Sequence, residues 1–267
     1  MVKKSQDTNI AEQLAALEAK RLQLQRLSPS RPIKSASEAA RFIKNRWVVV
    51  LMGGGSIAVL ANAIAGRQLA GSWMAHPESK VIYDIFTALE QSEFGAIKIG
   101  GKWALIDPLL GPAVVRIATD EQRRTRTVEA LPPTARQLLK RVVAEGSLAM
   151  DSSGLSTKEG RNARLILEQS LLVESQSVHT ERGSHTVVLR PWEATRFAKE
   201  FKAEALQLKL PAAEETLLAA CLHSAVLAPQ NEANRWFDFA PTRIEAMLAA
   251  GQIEKLESGK KWLTLAP

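Results

Sequence analysis

Lys158, Arg161, Asn162 and Gln169 recur at helical spacing, i, i+3, i+4 and i+11, opposite Ala163, Ile166, Leu167 and Ser170. Arginine and asparagine pair with the major-groove edges of guanine and adenine, and lysine neutralises phosphate. Arg164 adds another cation on the same stretch. An amphipathic helix also needs polar residues on its solvated face, so the helix by itself leaves both readings open.

Just downstream, His179, Glu181 and His185 flank Arg182-Gly183. Zinc ligation or acid–base chemistry would need the three to converge. A two-residue turn at Arg182-Gly183 puts His179 and Glu181 on one sheet face and His185 on the other, which favours His179 and Arg182 as contacts to phosphate or solvent. A register shift of one would change that arrangement.

Trp73 and His76, in the connector Trp73-Met74-Ala75-His76-Pro77, offer a loop that could stack on a base or insert beside it. The plainer reading is a tryptophan lid over the core and a histidine capping the next helix. Gly53-Gly54-Gly55-Ser56-Ile57-Ala58 follows an apolar run and matches the G-x-G-x-x-A dinucleotide pattern. No alternating strand–helix repeat follows and no acid stands about 20 residues on, so a glycine turn between a buried strand and a helix is expected instead. Gly-Lys-Ser/Thr is absent, which excludes a P-loop. The one cysteine, Cys221, rules out an internal disulfide and any cysteine-cluster zinc site, and its apolar setting predicts an inert, packed thiol. His223 in the same run reads as a core histidine. No metal or cofactor is expected.

Several elements must position these groups. Residues 9–27 form an amphipathic helix with Ile10, Leu14, Leu17 and Leu24 on one stripe, a surface for a partner or a second copy. Ser35 or Ser37 caps a second helix; 47–52 reads as a short strand and 57–66 as a helix closed by Gly66. Residues 96–107 form a hairpin about Gly100-Gly101, and 112–126 are helix-prone. Ser156 with Glu159 makes a capping box at the start of the 156–171 helix, followed by a second hairpin. Helices at 192–211 and 213–228, a helix led by Pro241, and a hairpin about Ser258-Gly259 complete the order. The first and last hairpins share an Ile-x-Lys start, a glycine turn and Lys-Trp, which suggests repeated modules. The fold class expected is mainly α with β-hairpin wings (α+β), built from tandem winged-helix modules. The expected divisions are 1–34 (basic helix and linker), 35–131, 132–192 and 214–267 (modules), and 193–213 (linking helix).

The chain has 267 residues, 46% hydrophobic and 24% charged, a globular composition that excludes disordered and collagen-like classes. Its net charge of +7 is uneven: residues 1–46 carry +6, 132–192 carry +2 and 193–267 carry −1. Such a basic excess points to a polyanion, with double-stranded DNA as the expected partner. The polar start lacks an apolar leader, and three glycines interrupt the uncharged run 47–66, so a cytoplasmic protein without a membrane span is expected.

Three helix-plus-hairpin modules in tandem, with GSWMAHPESKVIYDIF and SLLVESQSVHTERGSHTVVLRPWE as the closest segments, resemble uncharacterised bacterial relatives of the winged-helix DNA glycosylases that repair crosslinks and alkylated bases. The resemblance implies tandem winged helices, duplex DNA and a role in DNA repair or transcriptional regulation. In the active glycosylases a Gln-x-Gln or Gln-x-Asp pair positions water against the sugar; at the matching place this chain has Trp47-Val48-Val49-Val50-Leu51-Met52. Valine cannot position water or act as acid or base. Gln23-x-Gln25 has the letters but lies earlier, on the amphipathic helix. The expectation is therefore DNA binding without catalysis, against two alternatives: a glycosylase using a displaced group, and a winged-helix scaffold for protein partners.

Overall fold

The computed structural model describes residues 2–27, 31–90, 92–179 and 185–267. After α1 (Val2–Leu24), Ser35 accepts a hydrogen bond from the Glu38 N–H and starts α2 (Ala36–Arg46). Trp47 ends α2 at a φ of 62°, with its N–H donating to Ile43 O (2.7 Å), and turns the chain into β1 (Val48–Val50). Next come α3 (Leu60–Ala65), α4 (Ser79–Leu89) and the hairpin β2 (Gly95–Ile99) with β3 (Lys102–Ile106).

That order recurs twice. In the second unit α7 (Pro133–Glu145) ends at Gly146 with a φ of 71°. β4 (Leu148–Ala149), a one-turn 3-10 helix, α8 (Thr157–Gln169) and the hairpin β5 (Val173–His179) with β6 (His185–Pro191) follow. In the third, α10 (Leu210–Ala225) ends at Val226 with a φ of 64°. β7 (Ala228–Pro229), α11 (Gln230–Ala233), α12 (Ala240–Ala249) and β8 (Ile253–Ser258) with β9 (Lys260–Leu265) complete it. Between units lie α5 (Gly111–Thr119) and α6 (Glu121–Ala130), then α9 (Arg196–Gln207). Each unit holds one antiparallel three-stranded sheet, in orders β1-β3-β2, β4-β6-β5 and β7-β9-β8. The last strand of each hairpin is central because the short strand after the first helix adds to its free edge, giving the two-stranded ribbon a third strand and a helical layer to dock on. The architecture is thus α+β, with small antiparallel sheets among helices.

Burial divides the chain differently from its order in sequence. Val48, Val49, Ile82, Ile106, Val114 and Ile117 of the first part share one core with Leu217, Leu218, Cys221, Trp236 and Ile244 of the third unit. The second unit has its own core around Leu138, Val142, Leu167, Leu172 and Leu189. Fully burying such a side chain contributes roughly 1.5–3 kcal/mol. Fully buried Ser224 ties the first and third units, donating to Val48 O (2.5 Å) and accepting from the Ala58 N–H (3.2 Å).

Three expectations shift in detail. The helix expected over 57–66 is only Leu60–Ala65, because Val59 bridges to Val50 and the Val50 N–H donates to Ala58 O (2.8 Å). The helix-prone stretch at 112–126 divides at Asp120, whose side chain accepts from the Arg123 N–H (2.8 Å) and caps α6. In the second hairpin His179 pairs with His185 and Val178 with Thr186, one residue away from the register of a two-residue turn at Arg182-Gly183. That register removes the backbone premise for setting the two histidines on opposite faces. The uncharged run 47–66 folds as strand, glycine turn and short helix, and among the described residues no helix is long and apolar enough to cross a membrane.

Candidate nucleic-acid interface

Ser156 caps α8 as expected, its Oγ accepting from the Glu159 N–H (3.3 Å); the Glu159 carboxylate accepts from the Ser156 hydroxyl (2.6 Å) in place of the Ser156 N–H that would complete a capping box. Gly160 lets this first turn pack closely, since a Cβ there would stand 3.1 Å from Met150 Cε. Ala163 and Leu167 face the second unit's own core. Lys158, Arg161 and Asn162 are exposed, and among the described residues neither Lys158 nor Arg161 forms an ion pair. The exposed first half of the helix therefore carries two cations without an ion pair among the described residues, beside Glu159, whose carboxylate accepts from Ser156 Oγ.

The second half is covered. β2 of the first unit packs against α8, and Gln169 is half-buried at the turn of that hairpin, its Nε2 3.6 Å from where a Cβ on Gly101 would stand. Arg164 turns away from the free face, with its Nε 3.6 Å from Oε1 of Glu168, a fully buried carboxylate that also accepts from Ser175 Oγ (2.5 Å). Lys98 of β2 lies near this pair, its Nζ over the Trp103 ring at 3.9 Å from the centre. Burial pulls the Lys98 amine down to about 8, with Glu168 drawing it up and Arg164 pushing it further down. Arg164 and Gln169 thus belong to a joint between units, while Lys158, Arg161 and Asn162 form the free face.

Of the remaining sequence candidates, Trp73 and His76 belong to the connector before α4. Trp73 is half-buried and packs on Phe86, with ring centroids 5.9 Å apart. His76 places Nε2 2.9 Å from Ala70 O, across its own loop, and makes no side-chain cap to α4. Arg182 lies outside the described residues, as does Glu181; His179 is placed as a backbone position in β5. Among the described residues no group of three His, Cys, Asp or Glu could hold a metal ion.

The glycine loop holds an internal anion. Glu232 of α11 accepts from the Ser56 N–H (2.7 Å) and Oγ (2.9 Å), while Lys102 Nζ donates to Gly54 O. Gly55, at a φ of 133°, leaves room for both: a Cβ there would stand 2.9 Å from Glu232 Oε1 and 3.0 Å from Lys102 Nζ. Gln25 is buried and its amide donates to Ser56 O (2.6 Å) and Ser224 O (3.2 Å), fastening α1 to the first and third units. The stripe of Ile10, Leu14, Leu17 and Leu24 is half-buried, with α1 packed along β8.

Two joints were not visible in the sequence. Arg123, itself buried, donates through Nη2 to both carboxylate oxygens of Asp238 (2.7 and 2.9 Å) and through Nη1 to Ser170 O (3.0 Å) and Ile117 O (3.3 Å). It touches α5, the end of α8 and the third unit, yet nothing in EQRRTR marks it out from Arg124 and Arg126. At the other joint Trp47 stacks on His223 (4.2 Å between centroids), whose Nε2 lies 3.0 Å from Asn45 O and 3.1 Å from Nη2 of buried Arg46. Burial, with Arg46 and Lys20 nearby, holds His223 below the usual imidazole range.

No protein-family model matches this chain, and no curated protein or solved structure matches it either.

Proposed function

We propose that the protein binds double-stranded DNA, that its three units are winged helices, and that α8 of the second unit enters the major groove. The order helix, short strand, short helix, helix, hairpin supports the winged-helix reading, because it leaves the helix before each hairpin on the surface with a ribbon beside it. Comparison of those three helices selects α8. On α4 the outward Lys80 is paired with Asp84 (2.8 Å), and on α12 the outward residues Thr242, Glu245 and Ala246 include no cation. The observation that carries the reading is the exposed set Lys158, Arg161 and Asn162 on the first half of α8. Lys158 and Arg161 supply phosphate contacts, and Asn162, whose amide can donate to N7 and accept from N6, suits an adenine edge. Gln23-x-Gln25 is assigned no chemistry, because the Gln25 amide is committed to two buried carbonyls.

The test is a fluorescence-anisotropy titration of labelled duplex at low salt, with the parent and Lys158→Gln/Arg161→Gln. Saturable binding that falls at least tenfold in the variant supports the proposal. No duplex binding by the parent overturns it, and equal binding by both proteins removes α8 from it.

A further inference from the structure

We infer that the cleft where the three units meet is a binding site for a phosphate oxyanion. The cleft measures about 300 Å³ and is lined by the glycine loop and Lys102 of the first unit, Gln169 at the end of α8, and Glu232 and Arg235 of the third. That is the lower end of ligand-pocket size, ample for a phosphate or diphosphate group.

Three observations fix the chemistry. The lining carries two cations, Lys102 and Arg235, against one acid, Glu232, whose two oxygens are both taken by Ser56, so its charge there is net positive. Arg235 is exposed and ties down only its Nε, to Asn231 O (3.0 Å); no hydrogen bond from its Nη groups occurs among the described residues. Lys102 uses one donor on Gly54 O, which holds the ammonium at the cleft wall with donors to spare. A guanidinium, an ammonium and the Gln169 amide thus line one cleft from three units, a donor set suited to phosphate oxygens. Gly54 adds access, because a Cβ there would have no neighbour within 4 Å.

The walls of the cleft are held in place. The Gly100 N–H donates to Trp236 O (3.1 Å), fixing the first hairpin's turn against the residue after Arg235, and Gly101 adjoins Gln169. A phosphate seated here touches all three units and favours their observed arrangement over any in which they part. Two sources share this chemistry: a small free phosphate compound, and the backbone of a nucleic acid. The site itself does not depend on the DNA reading.

The experiment is isothermal titration of the full chain with inorganic pyrophosphate at low ionic strength, using the parent, Lys102→Gln, Arg235→Gln and the α8 pair Lys158→Gln/Arg161→Gln. One saturable site, weakened at least tenfold by Lys102→Gln and by Arg235→Gln but within twofold of the parent in the α8 pair, is expected. Absence of saturable heat, or equal losses in both sets of variants, overturns the inference. If Lys102→Gln loses its cooperative melting transition, exposed Arg235 decides the matter alone. Competition with labelled duplex then separates the sources. Displacement of duplex by pyrophosphate, with weaker duplex binding by Arg235→Gln, assigns the site to backbone phosphate; independence assigns it to a free ligand. Pyrophosphate binding without duplex binding would remove the DNA reading and leave the site standing.

Discussion

Replacing Arg123 by methionine keeps an apolar stem of similar length but removes the donors that join three parts of the chain. Ser170 O and Ile117 O lose their contacts with it, and Asp238 loses both of its hydrogen bonds to Nη2. Breaking a buried ion pair costs about 3–5 kcal/mol, and a hydrogen bond to a charged group contributes about 1.5–3 kcal/mol. The Asp238 side chain is 34% exposed and can rehydrate, which sets the expectation at the lower end, about 2–3 kcal/mol. With a urea slope near 2–3 kcal/mol per molar, the midpoint should fall by roughly 1 M. The assay is urea unfolding followed by tryptophan fluorescence, completed as a double-mutant cycle with Asp238→Asn. The expected coupling between the two positions is roughly 1–2 kcal/mol. A loss below about 0.5 kcal/mol with no coupling would refute the idea that this arginine locks the units together.

Other consequences follow from the same joints and cores. Leu138→Ala, in the second unit's separate core, should cost about 2–5 kcal/mol. Because all six tryptophans lie outside residues 132–191, that loss should show in amide exchange of α7 and α8 while tryptophan fluorescence reports little change. Lys98 has its amine lowered from 10.5 to about 8, so the unfolded chain holds the proton more tightly than the folded one. Stability should therefore rise as pH climbs from about 8 to about 10.5, and Lys98→Met should abolish that rise in chemical denaturation curves. His223 is likewise lowered, so its contribution is present above the unfolded imidazole value of about 6.5 and lost as pH falls below it. His223→Gln should flatten the acid limb of midpoint against pH. Cys221 is fully buried and its thiol is pushed up by burial, so a thiol reagent should label it only at the rate of unfolding of the shared core.

The sequence carried the local structure well where one chemical device decides it. The Ser156 N-cap of α8, the glycine turn of the first hairpin and the proline-led start of α12 are all present. The repetition suggested by IKIGGKW and SGKKW extends to three sheets of one strand order. Pairing between distant segments was not legible, because apolar periodicity says which face is buried and nothing about what buries it. The first and third units therefore share a core that no local pattern announces. The same limit explains the polar face of α8. Spacing placed Gln169 with Lys158, Arg161 and Asn162, but only tertiary packing shows the first hairpin covering that end of the helix. Arg164 was grouped with the DNA-facing cations although Glu168 stands four residues on, at the spacing of a helical ion pair; what the sequence did not show is that Glu168 is buried. The glycine loop shows the converse, its open backbone serving as the receptor for a carboxylate from a distant helix.

The most direct test of DNA recognition through α8 is the salt dependence of duplex affinity for the parent and for Lys158→Gln/Arg161→Gln. Each phosphate contact contributes about 0.9 to the slope of log K against log salt. The parent should lose affinity steeply as salt rises, and the variant's slope should be shallower by roughly 1.8. Parallel lines for the two proteins would contradict the account.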